Sequence, residues 1–222
     1  PGDILSLLLD QKDEGKVLSD RQLRDQLMTF LLAGHETTAT SLAWAWALLM
    51  KHPDVFERLR QEVSRVLKGR SPTVADLAEL KYTEQLLKEV MRLYPAVWIF
   101  SRQAIADDKI GGFSIPAGST VNVCPYLTQR HSDFWTHPEK FEPERFSVEN
   151  SRERHRCAYL PFSDGPRQCI GGGLAMLEMK IILSSLAQNF DFRASADAKL
   201  EPLPLVVLRP KNGVAARIQR LG

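Results

Sequence analysis

The sequence Phe162-Ser163-Asp164-Gly165-Pro166-Arg167-Gln168-Cys169-Ile170-Gly171 predicts a tight loop that leads into a helix. Gly165 lets the backbone turn without a Cβ clash, and Pro166 restricts the step that follows. Cys169 comes just before an amphipathic helix predicted at 173–190. A thiol at a helix N-terminus faces unpaired N–H groups, which favour the metal-binding thiolate. A lone cysteine is more often only a small buried residue, so its neighbours must distinguish the two interpretations.

The neighbours favour a metal ligand. The order Phe162-x-x-Gly165-x-Arg167-x-Cys169-x-Gly171 resembles the haem-binding loop of the cytochrome P450 family. That resemblance implies that Cys169 is the metal ligand and that Phe162, Arg167 and Gly171 belong to the cofactor-binding site. The fold class that it implies is mainly α with small β-sheets, the C-terminal portion of the P450 fold with its N-terminal helices absent.

A long central helix is predicted at 19–51, where Ser19-x-x-Gln22 forms a capping box. Its middle carries Ala33-Gly34-His35-Glu36-Thr37-Thr38, in which the glycine weakens helix propensity and the threonines can bond preceding carbonyls. Taken alone, such a segment is usually a packing kink. In this order it resembles the oxygen-binding groove of the P450 central helix. The resemblance assigns Glu36 and Thr37 as catalytic proton-relay residues, with Ala33 and Gly34 beside the cofactor.

The second half of this helix is apolar on nearly every face between residues 42 and 49. A helix of this kind must be covered on all sides, and we expect that the other segments do not supply all of that cover. The apolar stretch 27–50 is long enough to span a membrane. His35, Glu36 and several threonines at its centre favour a buried helix instead.

A helix predicted at 82–94 carries Glu89-x-x-Arg92, two side chains that share a face. On an exposed helix this pair contributes little, whereas a buried pair needs further partners. Arg145, in Pro143-Glu144-Arg145-Phe146, is a candidate partner. In P450 enzymes the corresponding residues form a buried triad, so the resemblance gives Glu89, Arg92 and Arg145 a structural role.

Strands are predicted at 98–104, 110–115 and 120–123. Arg102 lies in the first of them, and by resemblance it binds a haem propionate together with Arg167. An isolated arginine in a strand would ordinarily face solvent.

The resemblance also locates a substrate pocket and an irregular segment. The pocket residues that it implies are Ala33, Ala96, Val97, Ile99 and Phe100. The stretch 130–171 corresponds to the family's meander and haem loop. Near the C-terminus, Asn212-Gly213 between apolar runs predicts a hairpin that joins 206–208 to 214–218.

Composition narrows the function classes. The 222 residues carry a formal net charge of +2, so no broad nucleic-acid footprint is expected. The three cysteines have neither metal-type nor disulfide spacing, which suits an intracellular protein. The location implied is cytoplasmic for a bacterial protein, or membrane-associated if an N-terminal part carries an anchor.

The function implied by the resemblance is a haem-thiolate monooxygenase. Such an enzyme uses haem b and inserts one oxygen atom of O2 into a fatty-acid-like or other lipophilic substrate. Electrons come from NAD(P)H through a redox partner protein, either a reductase or a ferredoxin or flavodoxin.

Three alternatives stay open beside this function. The chain begins at Pro1 and has about half the family's length, so we expect 1–222 to be a single partial P450 domain. We expect the fragment alone to be inactive; it could be unable to hold haem, or be one half of an assembly that needs its other half. The remaining candidate is another haem-thiolate reaction, either peroxide-driven oxygenation or an isomerisation without a reductase.

Overall fold

The computed structural model describes residues 2–10, 12–13, 16–195 and 199–221. These residues form mostly helices with small two-stranded antiparallel sheets, as predicted. The chain divides into two compact units, residues 1–37 and residues 38–222.

The first unit contains α1 (Ile4–Leu9), a strand pair of β1 (Lys12–Asp13) and β2 (Lys16–Val17), and the start of α2 (Asp20–Lys51). The predicted capping box is present at the start of α2. Ser19 N–H donates to Gln22 Oε1 at 2.9 Å, and Gln22 N–H donates to Ser19 Oγ at 3.4 Å.

The second unit contains the main core. Besides the end of α2, its helices are α3 (Pro53–Leu67), α4 (Lys81–Leu93), α5 (Pro125–Thr128), α6 (Val148–Ser151) and α7 (Gly172–Asn189). The core cluster draws side chains from α2, α3, α4 and α7, among them Trp44, Leu59, Leu87 and Leu183, each 0% exposed. These helices form the framework on which the cysteine loop rests.

Among its described residues, the second unit has four antiparallel strand pairs. They are β3 (Phe100–Gln103) with β6 (Thr120–Val123), β4 (Asp108–Ile110) with β5 (Phe113–Ile115), β7 (Phe190–Ala194) with β10 (Ala216–Arg220), and β8 (Pro202–Pro204) with β9 (Leu208–Pro210).

The C-terminal hairpin prediction is wrong. A turn does form, because Gly213 N–H donates to Pro210 O at 3.2 Å and Gly213 has a φ of +69°. The strands on either side of it have other partners, since β9 pairs with β8 and β10 pairs with β7 over five residue pairs. The turn residues therefore specified the reversal of the chain, whereas contacts with residues farther away in the sequence determined which strands pair.

The second half of α2 is covered within its own unit, so the expectation that it lacks cover is wrong. Trp44 stacks on Tyr94 with ring centroids 3.8 Å apart, and its indole N–H donates to Leu208 O at 2.7 Å. Trp46 stacks on Phe192 at 4.0 Å. The exposed large apolar side chains of α2 lie earlier, at Met28, Phe30, Leu31 and Leu32, and the two leucines are 62% and 64% exposed.

Within the part of the chain that the structure describes, no helix is both long and apolar enough to cross a bilayer. α2 has sufficient length, but its polar residues interrupt the apolar run.

Asp76 makes one part of the fold sensitive to pH. Its carboxylate accepts from Arg70 Nη1 at 2.6 Å, from Arg70 Nη2 at 2.5 Å and from Thr73 N–H at 2.8 Å. These bonds, those from Arg70 above all, hold the pKa of Asp76 well below its usual value. Since the folded pKa is lowered, the stabilisation is present above the unfolded pKa of about 3.9 and is lost as the pH falls below it.

Asp76→Asn is therefore expected to lower stability at pH 7 and to flatten its acid dependence. Urea unfolding measured at intervals from about pH 7 to pH 2 should show a steeper loss below about pH 4 in the wild type than in the variant. Parallel curves would contradict the assignment.

Candidate functional site

The cysteine loop is closed by its own backbone and by one carboxylate. Asp164 Oδ1 accepts from Gly165 N–H at 2.8 Å, and Gln168 N–H donates to Gly165 O at 3.0 Å. Gly165 has a φ of +75°, a conformation that favours glycine. Arg156 Nη2 donates to Asp164 Oδ2 at 2.7 Å and fixes the carboxylate from outside. The pKa of Asp164 is lowered by the Gly165 N–H and by Arg156.

Cys169 lies at the end of this loop with its side chain exposed. Its N–H donates to Phe162 O at 2.9 Å, so the two ends of the motif are joined. A Cβ built on Gly171 would lie 3.9 Å from Cys169 Sγ, and one on Gly172 would lie 3.1 Å from Cγ of the Phe162 ring. Gly172 therefore lets the start of α7 approach the aromatic ring closely, whereas a side chain at Gly171 would make an ordinary contact with the sulfur.

The two predicted propionate-binding arginines differ in their surroundings. Arg102, on β3, donates from Nη2 to Ser163 Oγ at 3.1 Å, which brings it to the cysteine loop. Its guanidinium also lies 4.7 Å from the centre of the Phe100 ring. Arg167 is exposed and has no hydrogen-bond or ion-pair partner among the described residues. Both guanidinium groups therefore remain able to bind carboxylates.

The predicted pocket residues after α4 lie against the C-terminal segment. Leu208 N–H donates to Ala96 O at 2.9 Å, and the Trp98 indole N–H donates to Leu205 O at 2.9 Å. Ala96 is buried, whereas Val97 and Ile99 are exposed.

The predicted pocket residues did not include the apolar side chains of the C-terminal segment. Leu205 is 50% exposed and Val206 is 89% exposed, beside the backbone that Trp98 anchors. Val206 was predicted as the first residue of a C-terminal strand, and Leu205 lay in no predicted element.

The groove residues belong to the first unit. Thr37 Oγ1 donates to Ala33 O at 2.7 Å, while Ala33, Gly34 and Glu36 are exposed. A Cβ on Gly34 would meet nothing within 4 Å, and α2 is helical throughout this segment. The assignment of Glu36 and Thr37 as proton-relay residues stays a prediction.

Glu89 and Arg92 form a fully buried ion pair on α4, with both side chains 0% exposed. Arg92 Nε donates to Glu89 Oε2 at 2.7 Å, and Arg92 Nη2 donates to Glu89 Oε1 at 2.8 Å. Arg92 also donates to three backbone oxygens, of Gln129, Pro138 and Lys140. Its donors are therefore satisfied without water.

Arg145 lies on the other side of the same carboxylate. Its Nε is 3.4 Å from Glu89 Oε1, and its Nη2 donates to His137 O at 2.9 Å. Glu89 Oε1 also accepts from Glu142 N–H at 3.0 Å. Burial raises the pKa of Glu89, and the hydrogen bond from Arg92 opposes that rise. The three residues are thus in contact, and their role as a structural lock stays a prediction.

The residues of the loop fit a haem. An exposed thiol lies beside glycines that leave space for a flat group. The guanidinium group of Arg167 lies on the loop, and that of Arg102 is hydrogen-bonded to it. A thiolate ligand and paired cations for carboxylates match the chemistry of an iron porphyrin with two propionates.

Comparisons with known proteins point the same way. The family model described as Cytochrome P450 matches residues 1–216. Cyclooctatin synthase of Streptomyces melanosporofaciens is 39% identical over 209 residues, covering 93% of this chain and 46% of that protein. Cytochrome P450 4V2 of Mus musculus is 39% identical over 223 residues, covering 97% and 42%. The chain thus spans about half the length of the curated relatives it matches.

A solved structure confirms the predicted fold class. The crystal structure of the cytochrome P450DA heme domain is similar with a TM-score of 0.93 and 35% sequence identity. The match covers 100% of this chain and 50% of that chain.

Proposed function

Because this chain belongs to the cytochrome P450 family, we propose that it provides the haem-thiolate part of a monooxygenase. The reaction inserts one oxygen atom of O2 into a lipophilic organic substrate. The observation that carries the proposal is the closed loop in which Cys169 N–H donates to Phe162 O, leaving an exposed thiol beside Gly171.

Haem b, when bound, supplies the iron at which O2 is activated. Cys169 would hold it through the thiolate, and the fixed loop backbone would set the direction of the sulfur. Arg102 and Arg167 would bind the propionates, since a guanidinium suits carboxylates. Gly171 and Phe162 would line the loop side of the group.

On α2, the assignment of Glu36 and Thr37 as proton-relay residues belongs to the same proposal. Thr37 is the alcohol that the resemblance assigns to this relay, and its Oγ1 donates a hydrogen bond to Ala33 O at 2.7 Å. The exposed Glu36 carboxylate can take a proton from solvent and pass it on. Ala33 and Gly34 would leave space beside the cofactor.

A lipophilic substrate suits the exposed apolar side chains after α4. Val97 and Ile99 are 43% and 37% exposed and so provide apolar surface for a ligand. The proposed substrates are fatty-acid-like or other apolar compounds, because the stretch Leu93 to Trp98 resembles that of family members which act on fatty acids and similar lipophiles. Ala96 and Phe100 complete this part of the pocket.

The electron supply and the location are parts of the same proposal. Electrons would come from NAD(P)H through a redox partner, either a reductase or a ferredoxin or flavodoxin. The protein would act in the cytoplasm of a bacterium, or at a membrane if a longer parent protein carries an anchor.

The test is a haem titration of this chain followed by the ferrous carbon monoxide difference spectrum. A red-shifted Soret band typical of thiolate ligation is the expected result. Absence of haem binding, or a band typical of a neutral ligand, would contradict haem-thiolate function for this chain.

The alternative is that this chain alone holds no haem and works only together with another polypeptide segment. Exposure of Leu31 and Leu32 and the coverage of about half of each relative favour it. The same titration separates the two. Peroxide-driven oxygenation ranks lower because Glu36 and Thr37 are both present.

A further inference from the structure

Gln129 is a fully buried polar residue, 0% exposed, that directly follows α5. Its side-chain nitrogen donates to Met91 O and to Arg92 O, at 3.0 Å each. Its side-chain oxygen accepts from Leu160 N–H at 2.8 Å. One amide group therefore connects the end of α4 to the segment that enters the cysteine loop.

Gln129 and Arg92 are joined in both directions. Gln129 Nε2 donates to the backbone oxygen of Arg92, and Arg92 Nη1 donates to the backbone oxygen of Gln129 at 2.9 Å. Both side chains are completely buried, so water cannot replace either bond. Gln129 is consequently fixed to the same helix that carries the Glu89–Arg92 pair.

From Leu160 the connection continues into the loop. Leu160 O accepts from Ser163 N–H at 3.4 Å, and Phe162 O accepts from Cys169 N–H at 2.9 Å. Leu160 is thus held by Gln129 on its N–H side and bonded to the loop on its carbonyl side.

We propose that Gln129 is a positioning residue that fixes the Cys169 loop to α4. Two carbonyl oxygens on one side and an N–H group on the other face this side chain, and a primary amide matches all three. A carboxylate would lose the donors and would face two carbonyl oxygens. The consequence for a bound cofactor rests on the proposed function, whereas the positioning itself does not.

The test uses the full chain without added haem and follows amide hydrogen exchange of residues 160–169. Gln129→Met removes the polar atoms at similar volume, and Gln129→Glu keeps only the acceptors. Both should speed exchange in this segment at least about tenfold. Gln129→Met leaves the Leu160 amide unpaired, and Gln129→Glu places a carboxylate against the Met91 and Arg92 carbonyl oxygens, which detaches the loop entry from α4. Gln129→His offers one donor and one acceptor and should hold exchange within about threefold of the wild type.

Thr83→Val is the matched control. Thr83 is also 0% exposed on α4, and its hydroxyl donates to Glu62 Oε2 at 2.7 Å, at the opposite end of the helix. It should lower global stability without selectively speeding exchange at 160–169. Unchanged exchange in Gln129→Met, or equal acceleration in Thr83→Val, would overturn the proposal.

A second readout separates this proposal from the haem proposal. After haem titration, the Met and Glu variants should show a smaller thiolate-type fraction in the ferrous carbon monoxide spectrum than the His variant. If the wild type binds no haem, the exchange result still decides the role of Gln129. If exchange changes as expected while the spectra do not differ, Gln129 positions the loop but does not affect how Cys169 ligates the iron. That outcome would contradict the proposed consequence for a bound cofactor.

Discussion

Replacement of Arg92 by Met is expected to lower the free energy of unfolding by about 3–5 kcal/mol. The Glu89 carboxylate would lose two hydrogen bonds from Arg92 while staying fully buried. Three backbone oxygens would also lose their donor. Urea unfolding at pH 7 followed by far-UV circular dichroism measures the loss.

Two further variants serve as comparisons for the loss of stability in Arg92→Met. Arg92→Lys keeps the charge but cannot reproduce the forked contact, so its loss should be intermediate. Arg193→Met removes a guanidinium whose side chain is 78% exposed and which contacts Asp191 at 2.9 Å, and it should cost less than about 1 kcal/mol. A loss in Arg92→Met no larger than that in Arg193→Met would show that the buried pair does not stabilise the fold.

Sequence spacing could predict only part of this arrangement. Glu89 and Arg92 are three residues apart on a helix, so their contact follows from helix geometry. The backbone oxygens that surround Arg92 come from residues 37 to 48 positions later in the chain, and no local pattern specifies them. Arg145 was proposed from resemblance, because nothing in the intervening sequence indicates the contact.

The same distinction explains the hairpin error and the helix boundaries. Pro53 begins α3, and the Ser19 capping box precedes α2, because both signals act within one turn of helix. The partner of β10 is β7, 22 or more residues earlier, and an Asn-Gly turn carries no information about it. Local signals therefore located elements well and strand partners poorly.

The candidate site shows a further limit to what could be predicted from the sequence. The motif residues from Phe162 to Gly171 are close in sequence, so their loop was predictable. The contact of Arg102 with Ser163 joins residues 61 positions apart and depends on how β3 packs. Gln129 had no signal at all, because a single buried amide has no periodicity and no motif.

Cys169→Ser is expected to abolish the thiolate-type ferrous carbon monoxide band while leaving the fold intact. An alcohol does not ionise at neutral pH, so it cannot replace the anionic sulfur that a thiolate provides to iron. Because the Cys169 side chain is exposed, the substitution should change the free energy of unfolding by less than about 0.5 kcal/mol.

Cys157→Ser is the matched control, since Cys157 is also exposed and lies only twelve positions before Cys169. Its backbone N–H donates to His155 Nδ1 at 3.2 Å, a bond that the substitution keeps. The thiolate-type band of the wild type should therefore persist in Cys157→Ser and disappear in Cys169→Ser. A band that persists in Cys169→Ser would show that another residue ligates the iron, and loss of the band in both variants would remove the specific assignment to Cys169.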